Sequence, residues 1–290
     1  MKKSTSILFW VLAVVLTLLI SVYQRMTGPT YPARGKENFK GNEISYKLIR
    51  SQTVNKTIPV KINAPDQSIT AFLNYKHYKA DEPWIEGAMT REGDNLVFEI
   101  PGEDRYAAKI EYTVRLFSGG ESFLLNNGTS VVARFKGAVP AVWLILHILF
   151  MLFSIIFALR TGFEALHKDG KWEKLVTWTL GITCVGGLIL GPIVQKYAFG
   201  DLWTGFPFGT DLTDNKVLIA VICWVAAYIL RKKSKWAVIA ATIVMIGIYL
   251  IPHSVLGSEL DYKTGKMKNK YSMRVPAAER TEIGKNSISG

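Results

Sequence analysis

An unbroken run of 17 residues without a charge, 7–23 (ILFWVLAVVLTLLISVY), restricts this chain more than any other feature. A helix over it covers most of the hydrocarbon thickness of a bilayer, and water offers no favourable place for so much apolar surface. Lys2 and Lys3 precede the run, which ends in Tyr23, Gln24 and Arg25 rather than a small-x-small cleavage site. An uncleaved anchor over 1–25 is therefore expected, not a removed signal.

Four more apolar stretches follow a polar middle region: 138–159, 175–194, 217–230 and 236–251. The last two are short, and the third gains length if its helix starts near Thr213, where Asp211, Thr213 and Asp214 are capping residue types. Five spans result: the anchor and a four-helix membrane domain at 138–256. The 49% hydrophobic content and mean hydropathy of +0.18 fit such a chain better than a soluble enzyme.

Lys plus Arg exceed Asp plus Glu by 35 to 23, a net charge of +12, and the position of the excess matters more than its size. Lys2 and Lys3, then Arg160, Lys168, Lys171 and Lys174, then Arg231, Lys232, Lys233 and Lys235 fall on one side of a five-span topology. The loop 196–216 on the other side holds Lys196 and Lys216. The positive-inside rule then puts the N-terminus in the cytoplasm and the C-terminus outside. Lys263, Lys266, Lys268, Lys270 and Arg274 run against that assignment. A basic excess spent mostly on orientation makes nucleic acid a remote option, so no nucleic-acid partner is expected, only the bilayer and other membrane subunits. A bacterial inner membrane is the expected location.

From 30 to 137 the pattern changes to short alternating segments, the period-two mark of half-buried strands. In 109–116, Ile110, Tyr112, Val114 and Leu116 face one way, and Lys109, Glu111, Thr113 and Arg115 the other. Similar alternation covers 44–48, 58–62, 69–75 and 96–100, with further strands at 84–90, 122–126 and 130–135. Pro59 marks its strand as an edge candidate. Gly119-Gly120 and Asn127-Gly128 supply turns. Seven or eight strands in about a hundred residues suit an antiparallel β-sandwich of immunoglobulin or fibronectin III type. The expected fold is thus an α+β membrane protein, its β-sandwich extracytoplasmic and inserted between the first and second spans. Antibody-type domains are excluded because no Cys…Trp…Cys core exists.

Two cysteines rule out a disulfide framework, and no nucleophile, base and orienting acid can be assembled. An enzyme is accordingly disfavoured. His77, at a strand end, reads as a solvated histidine. His147 falls about 14 Å into the second span at the helical rise, and His253 follows Pro252 beyond the fifth. These two are cofactor candidates, for b-type haem or a divalent cation, because ionisable groups inside spans are costly. Against that stands a packing role, His147 donating to a neighbouring helix. The aromatic, Gly-rich loop 196–216 carries Asp211 and Asp214, which with Glu259 and Asp261 form a candidate outer cation site. Helix capping accounts for part of the same set. Gly187 and Gly191 are spaced for close helix packing. Residues 257–290 read as a flexible polar tail.

The functional expectation is an accessory, assembly or scaffold subunit of a cell-envelope membrane complex, acting through its β-domain and helices. A redox or cation-handling subunit using His147 and His253 is the competing expectation.

Overall fold

The computed structural model describes residues 2–252, 259–262 and 265. The chain is α+β. Helix α1 spans Lys3–Thr27, followed by eleven strands, and then helices α2 (Ala141–Leu166), α3 (Glu173–Cys184), α4 (Gly191–Phe199), α5 (Leu212–Leu230) and α6 (Lys235–Leu250). A π-helical turn, Val185–Leu190, joins α3 to α4 without a break, so 173–199 is one rod. Four helices are long and apolar enough to cross a membrane: α1, α2, the α3–α4 rod and α5. Helix α6 is apolar but only 16 residues long.

The strands are β1 (Ala33–Phe39), β2 (Asn42–Leu48), β3 (Ser51–Thr53), β4 (Ile58–Asn63), β5 (Thr70–His77), β6 (Ile85–Ala88), β7 (Thr90–Glu92), β8 (Asn95–Ile100), β9 (Lys109–Ser118), β10 (Glu121–Leu124) and β11 (Val131–Lys136). One sheet runs β1-β2-β4-β8-β7 and the other β3-β11-β9-β5-β6, with β10 on β9. Alternation explains the layering. In β4, Ile58, Val60 and Ile62 are buried while Pro59 and Lys61 are exposed, and β9 alternates likewise. The buried faces of both sheets meet in one core that includes Ile44, Ile62, Leu73, Tyr112 and Phe135.

Three sequence expectations change. Pro59 lies in the middle strand of its sheet, not at an edge. It is tolerated there because β2 pairs with β4 only at Ser45↔Asn63 and Tyr46↔Ile62, leaving no ladder partner opposite the missing N–H. The second sheet is mixed rather than antiparallel throughout, since β3 runs parallel to β11. Helix α2 ends at Leu166 rather than 159, which places Arg160 inside the helix and not in a connection.

The helices pack an interior that includes Trp224, Val238 and Met245, yet they leave large apolar side chains outside and take polar ones in. Leu19, Ile229 and Trp236 are each more than 60% exposed, whereas Thr17, Ser154, Arg160, Thr161, Glu164, Thr179, Thr183 and Thr242 are buried. Helix interiors accept these hydroxyls because each can bond a carbonyl one turn back, as Thr183 does to Thr179 and Thr242 to Val238. Arg160 donates to Glu164 and to Ser6 Oγ at 3.2 Å, and its guanidinium lies over the rings of Phe9 and Trp10. Glu164 also accepts from the backbone N–H of Lys171. This ion pair is thus enclosed by α1, α2 and the following loop.

Candidate functional site

A densely bonded polar region is the junction where the β-domain, the 200–211 loop and residues 259–262 meet the ends of the helices. Its first element is an anchored loop. Asp214 Oδ2 accepts from the backbone N–H groups of Thr204 (2.6 Å) and Gly205 (3.0 Å), from Thr204 Oγ1 (3.2 Å) and from Gln195 Nε2 (3.0 Å). Asn215 Oδ1 accepts from the Phe206 N–H. Position 205 must be glycine here, because a Cβ would stand 2.6 Å from that of Asp214. Asp211 is the N-cap of α5, accepting from the Thr213 N–H at 2.8 Å. Lys216 then ties the start of α5 to the end of α6 by donating to the carbonyls of Ile251 and Pro252.

The β-domain joins this assembly through several contacts. Gly137 N–H donates to Ala198 O at 2.8 Å, and a Cβ at 137 would collide with Tyr197 O. Arg134, on β11, is buried with its guanidinium over the Phe199 ring. Burial pulls its pKa down, opposed by the charges of Asp211 and Glu259. Residues 259–262 fall in the stretch read from sequence as a polar tail, yet they lie against the β-domain. Leu260 is buried in its core, and its N–H reaches Ala107 O. Glu259 pairs with Lys109 at 2.7 Å and Lys79 at 3.5 Å. Tyr262 OH donates to Lys109 O and accepts from Lys109 N–H, both at 2.7 Å.

His77, which sequence reasoning placed in solvent, closes this contact. Its Nδ1 lies 2.8 Å from Glu82 Oε1, its Nε2 lies 2.7 Å from Glu103 Oε1, and its ring packs 4.4 Å from that of Tyr262. Burial lowers its pKa, but the two carboxylates outweigh that effect and the net shift is upward. Glu82 shifts the other way: burial raises it, while hydrogen bonds and charge from His77 bring it below the carboxylate norm. No sequence signal identified this group, because its members are 5, 26 and 185 residues from His77 along the chain.

The sequence-chosen ligands are distributed as follows. Asp211 and Asp214 serve the α5 cap and the loop, whereas Glu259 serves the β-domain contact. Asp261 adjoins that contact. Among the described residues, no group of three or more His, Cys, Asp or Glu is placed to hold a metal. His147 Nδ1 donates to Gly186 O at 2.9 Å, inside the π-helical turn. His253, the second haem or cation candidate, lies outside the described residues. A Cβ on Gly187 would approach Val217 Cγ1 to 2.5 Å, so this glycine lets the α3–α4 rod and α5 close up. One on Gly191 would sit 3.6 Å from His147 Cε1.

No protein-family model matches the chain, and no curated protein matches it. Among solved structures, one titled "Crystal structure of Br derivative BhCBM56" aligns over 34% of this chain and 97% of its own, at 9% identity and a TM-score of 0.25. That likeness is too slight to bear on fold or function.

Proposed function

We propose that the chain is an accessory, assembly or scaffold subunit of a cell-envelope membrane complex, held in a bacterial inner membrane by five spans. Under this reading the N-terminus is cytoplasmic, and an immunoglobulin- or fibronectin-like sandwich stands outside with the 196–216 loop and residues 259–262. Helix α6, about 24 Å long at the helical rise, crosses as the fifth span with local thinning of the bilayer. The observation that carries the proposal is the fixed attachment of the β-domain. A spacer needs only its covalent links, whereas here the Gly137–Ala198 hydrogen bond and the Arg134 guanidinium over the Phe199 ring fasten the domain to the end of the α3–α4 rod. A fixed orientation is what a presenting platform requires, since prepaid ordering strengthens association. The partner side is β6, an edge strand that begins with the exposed Ile85 and is preceded by the exposed Trp84.

A photo-crosslinking residue at Ile85 in intact cells tests the reading, with Lys61, exposed on another strand, as the control position. One discrete crosslinked protein at 85 and none at 61 is expected, and Glu259→Ala should weaken it. Absence of any crosslink across the β-domain would overturn the scaffold role. Labelling of a cysteine at 85 only after the cytoplasmic side is opened would overturn the topology.

A further inference from the structure

Where α1 leaves the helical region, an open cavity of about 350 Å³ lies between its end and the β-domain. Arg25, Lys47, Arg50 and Lys136 line it together with the hydroxyl residues Ser51 and Thr53, and no Asp or Glu does. These cations come from separate places in the sequence: the end of α1, strand β2, the β2–β3 link and the end of β11. Strand pairing forces them together, since Lys136 is in register with Thr53 and Arg134 with Ser51.

The concentration of charge is costly as it stands. Lys47 is directly opposite Arg34 on β1, a like-charge cross-strand pair that disfavours the sheet. Arg25 and Arg34 both face the Tyr31 ring at 5.6 Å. Among the described residues, none of Arg25, Arg34, Lys47, Arg50 and Lys136 forms an ion pair, although elsewhere on the domain Lys36, Lys40, Lys76, Lys79 and Lys109 all do. Burial also depresses the Arg50 pKa, as expected for a cation held away from water without a carboxylate. Four uncompensated cations around a concave space, Arg25, Lys47, Arg50 and Lys136, form a site for a multiply charged anion, and a guanidinium fork matches phosphate oxygens in pairs.

The depth of the cavity narrows the ligand. Arg25 follows the apolar run by two residues, so it sits at the level where a bilayer changes from hydrocarbon to headgroups. We propose that this cavity binds a phosphate group, presented by the headgroup of an anionic phospholipid or by free phosphate, with Arg50 as its central ligand. This goes beyond the scaffold reading and rests only on α1 being a membrane helix for its lipid source.

The test uses the full chain in phosphate-free maltoside micelles alone, in the same micelles with phosphatidylglycerol, and in the same micelles with added inorganic phosphate. Hydrogen exchange of residues 47–53 reports occupancy, and native mass spectrometry of detergent-released protein reports retained lipid. Protection with phosphatidylglycerol, weakened by salt, identifies a lipid headgroup; protection with inorganic phosphate identifies a soluble source. In either case Arg50→Gln should weaken binding about tenfold or more, as loss of a charged hydrogen bond does. Lys47→Gln and Lys136→Gln, at exposed positions that fold independently of the ligand, should each weaken it by a smaller factor. Lys61→Gln should leave it unchanged. No protection in either phosphate arm, or protection indifferent to Arg50, Lys47 and Lys136 together, overturns the proposal. So does protection by an acidic peptide such as polyglutamate with none from phosphate.

Discussion

The β-domain and the helices solve opposite solvation problems with the same residue types. The β-domain hides Ile44, Ile62, Leu73 and Phe135 inside and turns Lys61, Glu99 and Arg115 outward. The helices turn Leu19, Ile229 and Trp236 outward and keep threonines and the Arg160–Glu164 pair within. The difference shows that burial alone does not measure stability in this chain. In the first region water drives apolar groups together, whereas the second, with four helices long and apolar enough to cross a membrane, suits surroundings as apolar as its side chains, where close backbone approach and hydrogen bonds hold helices together.

The sharpest way to break this contrast is to orphan a charge. Glu164→Ala leaves the Arg160 guanidinium enclosed without its carboxylate and should cost about 3–5 kcal/mol. Denaturation in mixed detergent micelles checks it, and an unchanged midpoint would mean that water reaches the pair. Next in size, Leu73→Ala removes a fully buried side chain from the β core and should cost about 2–5 kcal/mol, whereas Ile229→Ala on α5 should stay within about 0.5 kcal/mol. Equal losses would contradict the outward placement of Ile229.

Gly187→Leu follows. It forces a side chain against Val217 and should cost about 1–3 kcal/mol by separating the α3–α4 rod from α5, read as a lowered thermal midpoint. Val217→Ala in the same chain should restore part of it.

The smallest effect concerns pH. The raised His77 pKa means that its ionised form stabilises the contact with Glu82, Glu103 and Tyr262 in acid, and that this contribution fades as pH rises through the shifted value. The lowered Glu82 pKa has the opposite sense, its contribution fading as pH falls through that value. Hydrogen exchange at Leu260 should therefore be slowest between the two and faster on either side. His77→Gln should remove the alkaline limb, and a flat profile in the native chain would show that the ion pairs add nothing.

Much of the architecture was legible because it depends on periodicity. The alternation in 109–116 reappears as β9, and the apolar runs reappear as helices, because burial period and backbone period must agree. Strand β1 was missed since Ala33–Phe39 alternates exposed and partly exposed residues, with only Phe39 buried. The two short strands β3 and β7, three residues each, are too brief to show a period. Pro59 misled because a missing N–H is harmless wherever the neighbouring strand has already ended. His77 misled because its partners are remote in sequence.

By itself, the sequence determined the apolar helices and the longer strands with one buried face, because both follow from the local order of apolar and polar side chains. Tertiary structure alone decided which distant charges meet: His77 with Glu103, Glu259 with Lys109, and Arg25, Lys47 and Lys136 around Arg50. Electrostatic energy depends on distance in space and on local access of water, and neither is a function of position along the chain.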